Sequence, residues 1–199
     1  MATKRVLLIG GTSNVGKSTL AEALAGQLGW HYVSTDKLGR HPGRPWPSDG
    51  RAVPQHVAEH YLCLSVDELI DDVLRYYGSL QPKITALVTA HATDHAIDPL
   101  VIEGSALWPE FVAPLKDDRV AMVWLTASDA LLQQRIYHAS RIAEAAAQEQ
   151  RMIQKFVART LRYNAAMMAA VQRLGLASIR VEATSSLEDL SHRCLELLR

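Results

Sequence analysis

Cysteine is scarce in this chain, phenylalanine is scarce, and neither sign of charge is in excess. The two cysteines among 199 residues, Cys63 and Cys194, stand isolated. That excludes a disulfide framework and a cysteine-based zinc cluster, and fits reduced thiols in a cytoplasmic protein. Lysine plus arginine and aspartate plus glutamate each number 21, so the formal net charge is zero. Such a balance argues against a protein built to coat nucleic acid or an anionic membrane. The first apolar run, "VLLIG" (6–10), follows a basic pair. It is too short for the h-region of a signal peptide and far below the about 20 apolar residues of a spanning helix. Internal repeats and low-complexity tracts are also missing. With 48% hydrophobic residues, the chain can bury one core, and a single domain over 1–199 is the simplest organisation.

What the sequence does have is alternation. Short apolar runs separate long helical patterns, the signature of a parallel α/β sheet. Strands are expected at 6–10, 30–35, 99–104, 119–127 and 177–183, each a continuous apolar run of the kind covered on both faces. Between the second and third lies an insertion, residues 36–98. It opens with "GRHPGRPWPSDGRAVP", which carries four of the eight prolines and reads as an irregular loop. Helices follow at "PQHVAEHYLCL" into "SVDELIDDVLRYYGSL", with Ser65 and Glu68 as a capping box, and again from "PKITALVTAHATDHA". A further helical region, about 128–174, weakens near "HASRIAEAAAQEQR", a lid-like interruption at about 136–155. The last helix starts at Ser185, paired with Glu188, and turns Leu187, Leu190, Cys194 and Leu197 inward. The expected architecture is a three-layer α/β fold with a five-stranded parallel sheet in the order 2-3-1-4-5.

The chemistry begins at "GGTSNVGKST". Gly11, Gly16, Lys17 and Ser18 satisfy the phosphate-loop spacing G-x-x-x-x-G-K-[ST] between a strand and a helix. Glycines let the backbone curl so that successive N–H groups face one anion, and the helix N-terminus adds its dipole. The residues from Gly11 through Thr12, Ser13, Asn14, Val15 and Gly16 form the cradle. Lys17 supplies a charge to the β- and γ-phosphates, Ser18 a hydroxyl to Mg2+, and Thr19 can pack or touch the α-phosphate.

A phosphate loop can use its nucleotide as fuel, switch or phosphoryl donor. No guanine-reading N-K-x-D and no LSGGQ-type transporter signature occurs. The D-x-x-G at Asp36 to Gly39 follows strand two, where a switch protein would have it after strand three. Donor is the use that remains. Asp36 stands just past strand two, at the sheet edge that faces the ligand crevice. There a carboxylate can take the acceptor hydroxyl's proton or orient that hydroxyl; a helix N-cap is its other reading. Glu103 ends strand three, where an unpaired carboxylate is costly. It is expected near magnesium or the acceptor, with Gly104, unless an arginine pairs with it. Arg135 and Arg141 are the lid arginines expected to meet phosphate or the adenine ring. Arg151, Lys155, Arg159 and Arg162 continue the basic series. Arg40 and Arg44 can grip an anionic acceptor, and Trp46 and Trp108 are candidate walls of its pocket. His91 and His95 stand at i, i+4 without a completing carboxylate, so helix-surface positions suit them better than a zinc site.

On these residues the chain resembles the P-loop small-molecule kinases of the nucleoside and nucleotide kinase superfamily, over essentially its whole length. "STDKLGR" and "VIEGSALWPEFV" look like the matching stretches of 2-phosphoglycerate kinases, although Ser105 and Ala106 replace the histidine-bearing pair that follows "EG" there. "DKLGRHPGRPW" is similar, more weakly, to zeta-toxin and chloramphenicol phosphotransferase-like kinases. The resemblance implies ATP and Mg2+ as cofactors, ATP held by Gly11 to Ser18, phosphoryl stabilisation by Lys17 and an acceptor at Asp36. The expected partner is a small, anionic metabolite, with no nucleic acid and no membrane; a homodimer stays open. The competing reading is a regulatory or assembly ATPase without an acceptor, or a kinase of a nucleoside, sugar nucleotide or antibiotic.

Overall fold

The computed structural model describes residues 4–39, 43–47 and 52–198. Five parallel strands form one sheet: β1 (Val6–Gly11), β2 (His31–Ser34), β3 (Leu100–Glu103), β4 (Val120–Ala127) and β5 (Ala177–Val181). Their spatial order is β2-β3-β1-β4-β5, as the alternation of apolar runs implies. β1 lies centrally, in register with β3 (Ile9 beside Glu103) and with β4 (Gly11 beside Leu125).

Alternate residues of β1 feed two separate cores, because successive side chains of a strand leave opposite faces. Leu7 and Ile9 pack with Leu20, Ala21 and Leu24 of α1 (Lys17–Leu28) and with Leu190 and Cys194 of α7 (Leu187–Glu196). Val6 and Leu8 pack on the other face with Val73, Ile84 and Val88 of α3 (Val66–Thr93) and Met167 and Val171 of α6 (Ala147–Arg173). A third cluster joins α2 (Gln55–Cys63), α5 (Asp129–Ser140) and the start of α6 through Tyr61, Ile136, Ile153 and Phe156. The short α4 (Pro109–Val112) follows β3. This is a three-layer α/β fold, and none of its helices among the described residues is long and apolar enough to cross a membrane.

Several local expectations change. No break occurs at Pro82: α3 runs 28 residues through it, and its buried stripe Tyr77, Leu80, Ile84, Val88 continues across. An interior proline costs about 3 kcal/mol, while each large buried side chain contributes about 1.5–3 kcal/mol, so packing prevails. The Ser65–Glu68 capping box is present at the start of α3. α7 is capped by Ser186, whose hydroxyl accepts from the Asp189 amide, not by Ser185. Leu187 then sits at the first helical position and is 42% exposed, since the buried stripe begins only at Leu190. Trp46 and Trp108 are core residues, Trp46 edge-on to Phe156 and Trp108 edge-on to Tyr163, because each indole finds an aromatic neighbour inside the protein. His91 stacks on His31, and His95 lies past the end of α3.

Candidate functional site

The C-terminal edge of the sheet opens into a hollow of about 640 Å³ lined by Ser13, Asn14, Gly16, Lys17, Ser18, Thr19, Asp36, Gly43, Arg44, Tyr77, Glu103, Gly104 and Ser105. Residues from separate stretches of sequence therefore meet in one place. The loop between β1 and α1 forms its floor. Gly11 is held at φ 144°, and a Cβ there would lie 2.7 Å from the Leu125 carbonyl; Gly16 is at φ 106°. Asn14 adopts the left-handed region without being glycine, a costly conformation that fits a functional loop. α1 has Gly16 as its N-cap, with no side-chain cap and no acidic residue in its first turn, so its amide dipoles remain available to an anion. Thr12 and Val15, also in the cradle, are turned into the protein. Thr12 Oγ1 donates to the Thr160 carbonyl at 3.4 Å, and Val15 packs with the β1–α1 core.

Lys17 is 7% exposed and donates to the Thr12 carbonyl at 2.8 Å. Burial pushes its pKa down; Glu103 and Asp36 favour the charged form, and Arg44 opposes it. A cation held partly desolvated among two carboxylates is poised for an incoming anion.

Glu103 is 2% exposed. Its Oε1 accepts from the Ser18 hydroxyl at 3.2 Å and from the Tyr32 hydroxyl at 3.2 Å. Two hydroxyls therefore take the place of the arginine partner that sequence alone left open. The described residues contain no group of three or more His, Cys, Asp or Glu suited to a metal cage. A hydroxyl beside one buried carboxylate instead fits magnesium, which shares one or two protein oxygens with phosphate oxygens and water.

Asp36 lies in a 3-10 turn, Thr35–Lys37, directly after β2, and is exposed to the hollow. The turn's N-cap is Ser34, so Asp36 is not a capping residue. Arg44 lines the same hollow, its guanidinium 5.8 Å from the Trp46 ring. Arg40 lies outside the described residues. Gly104 is at φ 151°, with the hydroxyl of Thr35 packed against its missing side chain. An added Cβ would stand 1.7 Å from Thr35 Oγ1. Gly104→Ala is therefore expected to destabilise the protein by about 3 kcal/mol and to displace the Asp36 turn. A chemical-denaturation midpoint equal to wild type would refute this.

The lid arginines separate. Arg135 donates to the carbonyls of Val15 at 2.9 Å and Asn14 at 3.5 Å, bracing the loop from behind. It also borders a second hollow of about 320 Å³ with Leu131, Gln134, His138 and Ala183. Arg141 caps α5 in the left-handed conformation, is exposed, and lines neither hollow. Lys155 donates to the carbonyls of Leu62 and Leu64 at the end of α2, and Arg162 pairs with Asp67 at 2.7 Å. These two are structural.

Arg159 differs from the rest of its series. It is 5% exposed, donates to the Tyr61 hydroxyl at 2.9 Å, and lies over the Phe156 ring at 4.6 Å. Among the described residues no carboxylate lies within ion-pair distance of it. Together with Tyr163 and Thr160 it lines a small pocket that shares Ser13, Tyr77 and Ser105 with the main hollow. Sequence spacing offered Arg159 only as one basic residue of a helix. Tyr77 and Ser105 carry no motif that marks them, and Tyr77 falls on the apolar stripe of α3. Ser105 Oγ donates to the Gly11 carbonyl at 3.0 Å and Tyr163 to the Ser105 carbonyl at 2.6 Å, tying the end of β3 to the loop.

Fold and site together define a phosphate-loop nucleotide-binding domain, with a five-stranded parallel sheet and a second cluster of polar side chains facing the loop. A protein-family model described as an AAA domain matches residues 7–154, and the chain belongs to that family. No curated protein sequence matches the chain. Among solved structures it is similar to a gluconokinase from Sinorhizobium meliloti 1021, at TM-score 0.53 and 18% identity, covering 100% of this chain and 93% of the other. Shikimate kinase from Acinetobacter baumannii, in complex with shikimate, matches at TM-score 0.51 and 15% identity, over 98% and 93% of the two chains. Deoxyadenosine kinase from M. mycoides with bound dATP matches at TM-score 0.53 and 10% identity, over 96% and 97%. The fold is that of the P-loop small-molecule and nucleotide kinases.

Proposed function

We propose that this protein is an ATP- and Mg2+-dependent kinase that phosphorylates a hydroxyl of a small anionic metabolite, with 2-phosphoglycerate the first acceptor to test. The observation that carries this reading is the single hollow that joins the phosphate loop and Lys17 to Asp36 and Arg44. Asp36 and Arg44 both come from the segment after β2 and not from the loop itself, the place from which a kinase would hold an acceptor opposite the phosphates. Residues 36–98 serve as the acceptor-binding insertion, about 136–155 as the lid, and 1–199 as one kinase domain in a cytoplasmic setting.

ATP would supply the phosphoryl group, and magnesium would neutralise charge between the phosphates, held by Ser18 with Glu103 behind it. The loop amides and Lys17 bind the phosphates; the second hollow, beside Arg135, suits the nucleobase. Asp36 holds the acceptor hydroxyl in line, accepting its hydrogen bond or its proton. Arg44 and Arg159 receive the acceptor's anionic group. Arg159 is the more telling of the two. A buried guanidinium without an ion pair is costly, and an acceptor carboxylate or phosphate would compensate it. Exchange of Arg159 for a hydrophobe of similar length follows from this as a test. Arg159→Met is expected to match or exceed wild-type stability, by about 1–4 kcal/mol at most, while raising the acceptor KM about 10- to 100-fold at unchanged KM for ATP.

The deciding experiment is a panel of small anionic metabolites, 2-phosphoglycerate first, scored by ADP release with wild type and Asp36→Asn. One metabolite should stimulate ADP release well above the water-driven background in wild type, and at least about 10-fold less in Asp36→Asn. Slow hydrolysis indifferent to every metabolite, and to the Asp36 substitution, would replace the kinase with a regulatory ATPase.

A further inference from the structure

Glu103 sits at the meeting point of three elements, and the contact that sequence reasoning missed comes from β2. In the parallel pairing of β2 with β3, Ser34 stands beside Glu103 and Tyr32 beside Val101. Tyr32 is thus the diagonal neighbour of Glu103 on the same sheet face, at a spacing that long side chains bridge. That face is the one α1 covers, and Tyr32 packs against its core. Its hydroxyl donates to the same carboxylate oxygen, Oε1, that Ser18 uses.

Two donors on one oxygen fix a carboxylate differently from one. With Ser18 alone, the carboxylate can rotate about its last side-chain torsion, which is broad and roughly two-fold. The second donor, arriving from a rigid strand, pins Oε1 between β2 and α1. Ser18 is also the residue whose hydroxyl oxygen the kinase reading gives to magnesium. The geometry around Ser18 then depends on whether its hydrogen always has the same acceptor. Outer partners of this kind orient the groups that hold a metal, and removing one typically weakens metal affinity about 10- to 100-fold at sites built wholly of protein ligands. Here the phosphates supply much of the binding, so the effect falls at the low end of that range.

We propose that Tyr32 is a positioning residue for divalent-cation binding: its hydroxyl holds the Glu103 carboxylate in the orientation that presents Ser18 to magnesium beside the nucleotide phosphates. The inference rests on the kinase reading of the site. It assigns Tyr32 no contact with nucleotide or acceptor. The effect is therefore confined to the cation, and nucleotide affinity without magnesium is untouched.

The test is a binding titration with a fluorescent ATP analogue, run in EDTA and across a Mg2+ series, on the full chain and its Tyr32→Phe, Glu103→Gln and double variants. Phenylalanine keeps the ring, its packing on the α1 core and its place 5.8 Å from Lys37 Nζ, so only the hydroxyl is lost. Tyr32→Phe should bind the analogue normally in EDTA and need about 3- to 10-fold more Mg2+ for half-maximal tightening. Glu103→Gln should show a larger shift, and the double variant no more than Glu103→Gln alone, because Tyr32 acts through that carboxylate. A purely structural tyrosine would lower the melting temperature while leaving the Mg2+ midpoint in place, and that result overturns the inference. So do independent, summing effects in the double variant. Failure of the wild-type protein to bind the analogue overturns the kinase reading itself, an outcome distinct from an unchanged Mg2+ midpoint in Tyr32→Phe.

Discussion

Lys17→Ala is expected to yield a folded protein whose phosphoryl transfer is at least about 1,000-fold slower than wild type, the scale of losing a preorganised charge at the transferring group. The fold should survive because the charge contributes little to it. Lys17 is buried, and burial pushes its pKa down, which means the folded state disfavours the charged form relative to the unfolded chain. Carrying the charge in the folded state therefore weighs against folding, and alanine removes that cost. The opposing losses are one hydrogen bond to the Thr12 carbonyl and some packing of the side-chain stem. What retains the charge is its place in the hollow with the loop amides, where Glu103 and Asp36 favour it. Circular dichroism and thermal melting would confirm the fold, and coupled ADP release would read the rate. Transfer within a few-fold of wild type would remove Lys17 from the mechanism and, with it, the reading of the loop as a donor site.

The second large effect concerns Asp36. Asp36→Asn is nearly isosteric, keeps a carbonyl acceptor, and removes the charge and the basicity. If Asp36 takes the acceptor's proton, kcat should fall about 100- to 10,000-fold, the usual contribution of a positioned general base. If it only orients the hydroxyl, the amide retains part of that role and the fall is nearer ~10-fold. Either way nucleotide binding should be unchanged, since Asp36 comes from the turn after β2 and not from the loop. Because Asp36 is exposed and the N-cap of its turn is Ser34, the substitution removes no helix cap, and stability should stay within about 0.5 kcal/mol of wild type. An unchanged kcat with the identified acceptor would leave Asp36 without a part in the chemistry. Measuring kcat and nucleotide Kd on the same preparation separates the three cases.

Strand order, the phosphate loop and the placing of Asp36 and Glu103 at one sheet edge were all legible in the residues. Those features are local or topological. A glycine-rich turn between a strand and a helix has one use for its lysine, and parallel strands with right-handed crossovers send their C-terminal ends to one side. Burial was legible only where periodicity alone governs it. Pro82 looks like a helix end because propensity says so, and the packed stripe of α3 overrides it. Trp46 and Trp108 look like pocket walls because they flank site motifs, yet each is claimed by an aromatic neighbour from a distant element, Phe156 and Tyr163.

The sequence by itself therefore determined the class of fold, the phosphate-loop pattern at Gly11 to Ser18 and the sheet edge to which Asp36 and Glu103 are brought. Each of these follows from backbone geometry imposed by a few residue types over short spans. Only the tertiary structure decided which of the basic residues after β4 matter. Arg135 braces the loop, and Lys155 and Arg162 hold helices together. Arg159 is the member of the series buried beside the site, with no ion pair among the described residues. The tertiary structure also decided that Glu103 is held by Tyr32 and Ser18. Partners of this kind come together from positions 71 and 85 residues apart in the chain. What a charge does when buried depends on those partners, and periodicity carries no record of them.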